Sequence, residues 1–191
     1  MRKLILFGDS NTYGYDPRDF FGGRYAEDER WATIVHKTLA DSFDVVEEGI
    51  NGRQLPSVDY GYFTNLLCEL SEDDIFVMML GTNDILLTYN PNIDMAVTKL
   101  DKILSYAREN CLAQFILIAP PYIKVMKPEM QRYHDCCIEM NERFIKLAKQ
   151  YDITVIDASK WAIPMGSDGV HFSIDGHKKF AKNVLENLES F

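Results

Sequence analysis

Short, mostly apolar runs alternate along this chain with longer stretches whose apolar residues recur every three or four positions. Lys3–Phe7, Phe43–Glu47, Ile75–Leu80, Phe115–Ala119 and Thr154–Ile156 are too short for ordinary helices. They lack the strict alternation of a strand with one wet face, so they predict strands covered on both sides. Between them the period lengthens. Trp31–Leu39 places Trp31, Ile34, Val35, Thr38 and Leu39 at helical spacing, and Tyr60–Leu70 also reads as helical. Ile93–Asn110 aligns Val97, Leu100, Ile103, Leu104 and Ala107 on one face, as a helix packed on a sheet requires. A further helix runs from Pro128, an N1-type position, to about Gln150, burying Ile138, Phe144, Ile145 and Ala148. The last helix spans Ile174–Leu188, with Ser173 as its cap and Asp175 in its first turn.

This alternation predicts an α/β protein: a three-layer α/β/α sandwich around a five-stranded parallel sheet, flavodoxin-like in order. The 191 residues are read as one domain, 1–191, with no repeat, linker or low-complexity tract. Pro120-Pro121 ends the fourth strand, because proline has no N–H to give a ladder. In open parallel sheets ligands collect beyond the carboxyl ends of the strands. The polar motifs of this chain fall at that edge.

Composition narrows the function classes. A hydrophobic fraction of 47% is ordinary for a globular protein. The formal net charge of −9, spread along the chain, opposes phosphate backbones and anionic membrane surfaces. Neither nucleic acid nor membrane is expected as a partner; a small neutral ester is. The apolar run after Met1-Arg2-Lys3 stops at Gly8-Asp9, well short of the roughly 7–15 residues of a signal-peptide core, and a cytoplasmic location is expected. Cys68, Cys111, Cys136 and Cys137 show no zinc spacing and read as reduced thiols.

The first and last turns of the sheet carry one chemistry between them. Phe7-Gly8-Asp9-Ser10-Asn11-Thr12 closes the first strand, and Asp168-Gly169-Val170-His171 precedes the last helix. A hydroxyl is a poor nucleophile until a base takes its proton, and an imidazole serves best when a carboxylate fixes its tautomer. Ser10, His171 and Asp168 are those three parts. Asn51-Gly52 and Gly81-Thr82-Asn83-Asp84 follow the second and third strands and can offer donors to a developing oxyanion. Taken singly, each motif also fits an ordinary turn; their co-occurrence in order, each at a strand end, favours a site.

Together these segments resemble the SGNH hydrolases, also called the GDSL esterase/lipase family. Gly8-Asp9-Ser10-Asn11 is similar to the first signature block, Gly52 to the second-block glycine, Asn83 to the third-block asparagine and Asp168-x-x-His171 to the fifth block. Arg30-Trp31, Val46–Arg53 and Leu80–Asp84 look like the arylesterase and acyltransferase-like branch. The resemblance implies Ser10 as nucleophile, His171 as general base and Asp168 as its orienter. It implies an oxyanion hole from the N–H groups of Ser10 and Gly52 and the side chain of Asn83. It further implies a substrate pocket lined by Asn11, Tyr15, Leu86 and Val170, with no metal and no cofactor. The expected reaction is hydrolysis of short-chain carboxylic esters through an acyl-enzyme. Transfer of the acyl group to an alcohol, deacetylation of a carbohydrate, and a catalytically silent binding module are the alternatives.

Other residues carry less. Asp9 and Asp84 are expected to hold loops. Phe20, Phe21, Tyr122, Ile123 and Met126 are expected as an apolar rim, suited equally to a subunit interface in a homo-oligomer. Tyr15, Tyr122 and Trp161 are candidates to stack on a sugar. His36, His134 and His177 read as surface or helix residues. Asp168, His171, Asp175 and His177 have the donor types of a metal site, but the proposed triad already uses two of them.

Overall fold

The fold is given by a computed structural model that describes residues 1–19, 21–59 and 61–188. Five parallel strands form one sheet: β1 (Arg2–Gly8), β2 (Phe43–Gly49), β3 (Ile75–Met79), β4 (Gln114–Ala119) and β5 (Thr154–Asp157), in the spatial order β2-β1-β3-β4-β5. The three central strands β1, β3 and β4 are buried on both faces, as their apolar runs predict, whereas the edge strands β2 and β5 are mostly half-buried. Ile5, Phe7, Phe76, Met78, Phe115 and Leu117 point to one side, while Leu4, Leu6, Ile75, Val77, Ile116 and Ile118 point to the other. The period of two within a continuous apolar run thus feeds two cores at once.

Helices α3 (Tyr62–Cys68), α5 (Ile93–Asn110) and α6 (Gln131–Gln150) cover the first face; α2 (Trp31–Leu39) and α7 (Ile174–Leu188) cover the second. The bounds of α2 and α5, and the start of α7, match those read from periodicity. Helix α3 starts later than expected, and Tyr60 lies outside the described residues. Pro128 opens a 3₁₀ turn, Pro128–Met130, that leads into α6. The buried face of α6 is Cys137, Met140, Asn141, Phe144 and Ala148. Ile138 and Ile145, expected inside, are only half-buried because they fall one position off that stripe.

Two short helices, α1 (Ser10–Tyr13) and α4 (Thr82–Leu86), escape periodicity because a single turn shows none. They sit directly after β1 and β3, where the sheet order reverses. Chain leaving β1 goes one way to β2 and chain leaving β3 the other way to β4, so a crevice opens above their carboxyl ends. Among the described residues, no helix is long and apolar enough to cross a membrane.

Candidate active site

Ser10 is the first residue of α1, and Asp9 is its cap. The Asp9 carboxylate accepts from the Asn11 N–H at 3.0 Å, as a helix N-terminus favours. Gly8 is required beneath this turn, since a Cβ there would lie 2.0 Å from Thr12 Oγ1. Burial of Asp9 pushes its carboxyl up to about 6, against the pull of the Asn11 N–H and of nearby His171 and Arg53.

His171 arrives from the other end of the chain. Its Nε2 lies 2.9 Å from Ser10 Oγ, and its Nδ1 lies 2.5 Å from Asp168 Oδ2. The second Asp168 oxygen accepts from the N–H groups of Val170 and His171, at 2.9 and 3.0 Å. Burial alone would raise the Asp168 carboxyl; the hydrogen bonds from the His171 ring and these two N–H groups outweigh it and hold it below the usual range. An ionised Asp168 fixes the Nδ1–H tautomer, leaving the Nε2 lone pair for the Ser10 proton. The loop shape depends on Gly169 at φ +75°, where a Cβ would meet the Lys124 carbonyl oxygen at 2.3 Å. Lys124 N–H in turn donates to Gly169 O at 2.7 Å.

The segments that carry the expected oxyanion donors are tied together by hydrogen bonds at the carboxyl edge of the sheet. Ile50–Arg53 is a turn closed by Arg53 N–H to Ile50 O at 3.2 Å, with Gly52 at φ +73° as a type II turn demands at that place. The N–H groups of Ser10 and Gly52 have no partner among the described residues. The Asn83 amide nitrogen donates one hydrogen to Arg53 O at 3.1 Å, which leaves its other hydrogen free. Two more ties lock this turn to α4: Gln54 Nε2 donates to Asn83 O at 3.2 Å, and Leu55 N–H donates to Asp84 Oδ2 at 2.9 Å. Asp84 is buried and its other oxygen takes Lys99 Nζ at 2.8 Å. It holds a loop, as Asp9 does.

The four residues expected to line a substrate pocket fare differently. The Asn11 amide is buried and spent on the backbone: Oδ1 accepts from Phe172 N–H at 2.8 Å and Nδ2 donates to Val170 O at 3.3 Å. It grips the His171 loop instead of facing open space. Tyr15 is half-buried with its ring 4.4 Å from that of His171. Leu86 and Val170 are half-buried and pack on the core. Leu87, which sequence reasoning passed over, is 62% exposed and is the side chain nearest the open side of Gly52.

Of the expected apolar rim, Phe21 and Met126 are exposed, Ile123 is instead part of the core, and Phe20 lies outside the described residues. Trp161 is half-buried, with its ring 5.2 Å from that of Phe180 and steeply inclined to it. His177 is wholly buried between the rings of Tyr25 and Phe172. Desolvation, helped by the charges of His171 and Arg30, pushes it down to about 3 and keeps it neutral. No group of three or more His, Cys, Asp or Glu side chains among the described residues is arranged to hold a metal.

A doubly covered parallel sheet with a Ser–His–Asp array at its carboxyl edge defines an α/β hydrolytic architecture without the GxSxG elbow. The chain belongs to the GDSL-like lipase/acylhydrolase family, whose model matches residues 6–179. Solved structures of similar fold include a carbohydrate acetylesterase from Sinorhizobium meliloti, at 19% identity and a TM-score of 0.81, covering 100% of this chain and 99% of that one. An aryl esterase from M. smegmatis shares 21% identity at a TM-score of 0.81, again covering 100% and 99%. A lipase/acylhydrolase from Enterococcus faecalis shares 21% at 0.71, covering 100% and 96%. Among curated proteins no match is found.

Proposed function

We propose that this protein is a serine esterase that hydrolyses short-chain carboxylic esters through an acyl-enzyme. The observation that carries the reading is the continuous relay from Asp168 through His171 to Ser10, at 2.5 and 2.9 Å. Ser10 Oγ attacks the ester carbonyl carbon as its proton passes to His171 Nε2. The carbonyl oxygen becomes an oxyanion that takes hydrogen bonds from Ser10 N–H, Gly52 N–H and the free Asn83 hydrogen. Collapse breaks the bond to the leaving alkoxide, which takes the proton from His171. Water then attacks the acyl-enzyme, giving its proton to the same nitrogen. Release of the acid returns that proton to Ser10. Substrate, water and these side chains balance every step.

Small acyl groups suit the surroundings of Gly52. Ile50, two residues before Gly52, and Leu87, whose side chain lies nearest it, are open at the surface, 53% and 62% exposed. A fluorophosphonate probe separates this reading from a silent binding module. We expect labelling of wild type and none of Ser10→Ala; an unlabelled, folded wild type would reject the enzyme. Among aryl esters, acetyl and butyryl are expected to turn over faster than decanoyl, and the reverse order would reject the short-chain preference. If added alcohol captured most of the acyl group at low concentration, the protein would be an acyltransferase using the same site.

A further inference from the structure

Arg53 is joined to every segment that offers an oxyanion donor. Its guanidinium Nη1 donates to Gly8 O at 3.0 Å, two residues before Ser10, and also to Glu48 O at the end of β2. Its Nη2 lies 3.6 Å from the Glu48 carboxylate, and its Cζ stacks 3.9 Å over the Phe7 ring of β1. Its N–H closes the turn that sets Gly52, and its C=O holds the Asn83 amide. The guanidinium side chain is only 10% exposed. Placing a strong cation there is costly, and desolvation pulls Arg53 below its ordinary value although Glu48 opposes this. The Phe7 face, Glu48 and two carbonyls make a cradle that fixes one rotamer.

We infer that Arg53 is a positioning residue for the oxyanion hole, holding the ends of β1 and β2 and the Asn83 amide in one register. This rests on the reading of Ser10, Gly52 and Asn83 given above. The backbone contacts of Arg53 would persist with another side chain, whereas the bridge from Gly8 O to Glu48 O would not. Lysine has one ammonium on a thinner stem and lacks the planar fork, so it does not replace the stacked bridge.

The test compares wild type with Arg53→Lys and Arg53→Met on an aryl acetate and with an alkyl boronic acid. The boronic acid forms a tetrahedral adduct whose oxygen sits among the oxyanion donors. A displaced donor typically costs on the order of 10²–10³ in rate, and a loosened one less. We therefore expect kcat to fall about 10- to 100-fold, more for Met than Lys, with KM within about threefold. The boronic acid inhibition constant should rise by the same factor as kcat/KM falls. A purely structural residue would lower the melting temperature without that parallel. Wild-type kcat in a folded Arg53→Lys or Arg53→Met protein, unchanged boronate affinity, or failure of both variants to fold would overturn the inference. Fluorophosphonate labelling of wild type distinguishes this from failure of the esterase reading, which would leave wild type itself unlabelled.

Discussion

Asn11 bonds to the chain on both sides of His171: its Oδ1 accepts from Phe172 N–H at 2.8 Å and its Nδ2 donates to Val170 O at 3.3 Å. The residue after the expected nucleophile thereby sets the position of the expected base. Asn11→Ala should leave a buried Phe172 N–H without a partner, which typically costs about 1–3 kcal/mol. The prediction is a lower melting temperature together with a fall in kcat of at least about tenfold, since a displacement of about 1 Å in a proton relay can cost 10²-fold. Thermal denaturation and steady-state kinetics check both parts; wild-type kcat in a destabilised protein would mean the loop keeps its place without the amide.

Asp168 has two separable jobs, and Asp168→Asn divides them. The remaining oxygen can still accept from the Val170 and His171 N–H groups, as Oδ1 does now. The new NH₂ would face His171 Nδ1 and favour the wrong tautomer. Turnover should drop by about 10³–10⁴ while the melting temperature stays within a few degrees of wild type. Full activity would show that another group orients the imidazole.

Asp9 and His177 oppose one another in acid. Asp9 has a folded-state value of about 6 against 3.8, so the native state binds the extra proton between those limits. Its contribution is fully present below 3.8 and is lost as pH rises through 6, up to about 3 kcal/mol. His177 is displaced from 6.5 to about 3, so between those limits the unfolded state binds the extra proton and stability falls with falling pH. Over pH 4–6 the two slopes act in opposite directions. Asp9→Asn keeps an oxygen for the Asn11 N–H and removes the first slope. It should be more stable than wild type at pH 7.5 and lose stability more steeply between pH 6 and 4. Parallel melting-temperature profiles for the two proteins would refute the buried, raised carboxyl.

Gly169→Ala tests the close approach of the two loops. Its positive φ and the Lys124 carbonyl 2.3 Å from the added carbon both act against a side chain. A strained left-handed residue costs on the order of 1–3 kcal/mol even with room to spare. We expect a lower melting temperature and a loss of kcat, because the Asp168–His171 loop must shift to clear the carbonyl. Unchanged kinetics would show that the loop yields on its Lys124 side alone.

Periodicity and punctuation revealed the five strands and the long helices, and α2 and α5 were legible to the residue. The Ser10, Gly52 and Asn83 segments were legible as residue types just after the first three strands, and Asp168–His171 as a loop ahead of the last helix. These features are local: an apolar stripe, a proline or a glycine acts within a turn or two of its own position. The partners were not legible. Ser10 and His171 are 161 positions apart, and only the order and register of nearly interchangeable apolar strands brings them together. Nor could a sequence show that the Asn11 amide is spent on the backbone, that His177 is sealed and neutral, or that Arg53 spans two strands. Each depends on which groups lose water together, and exclusion of water is a property of the packed chain as a whole.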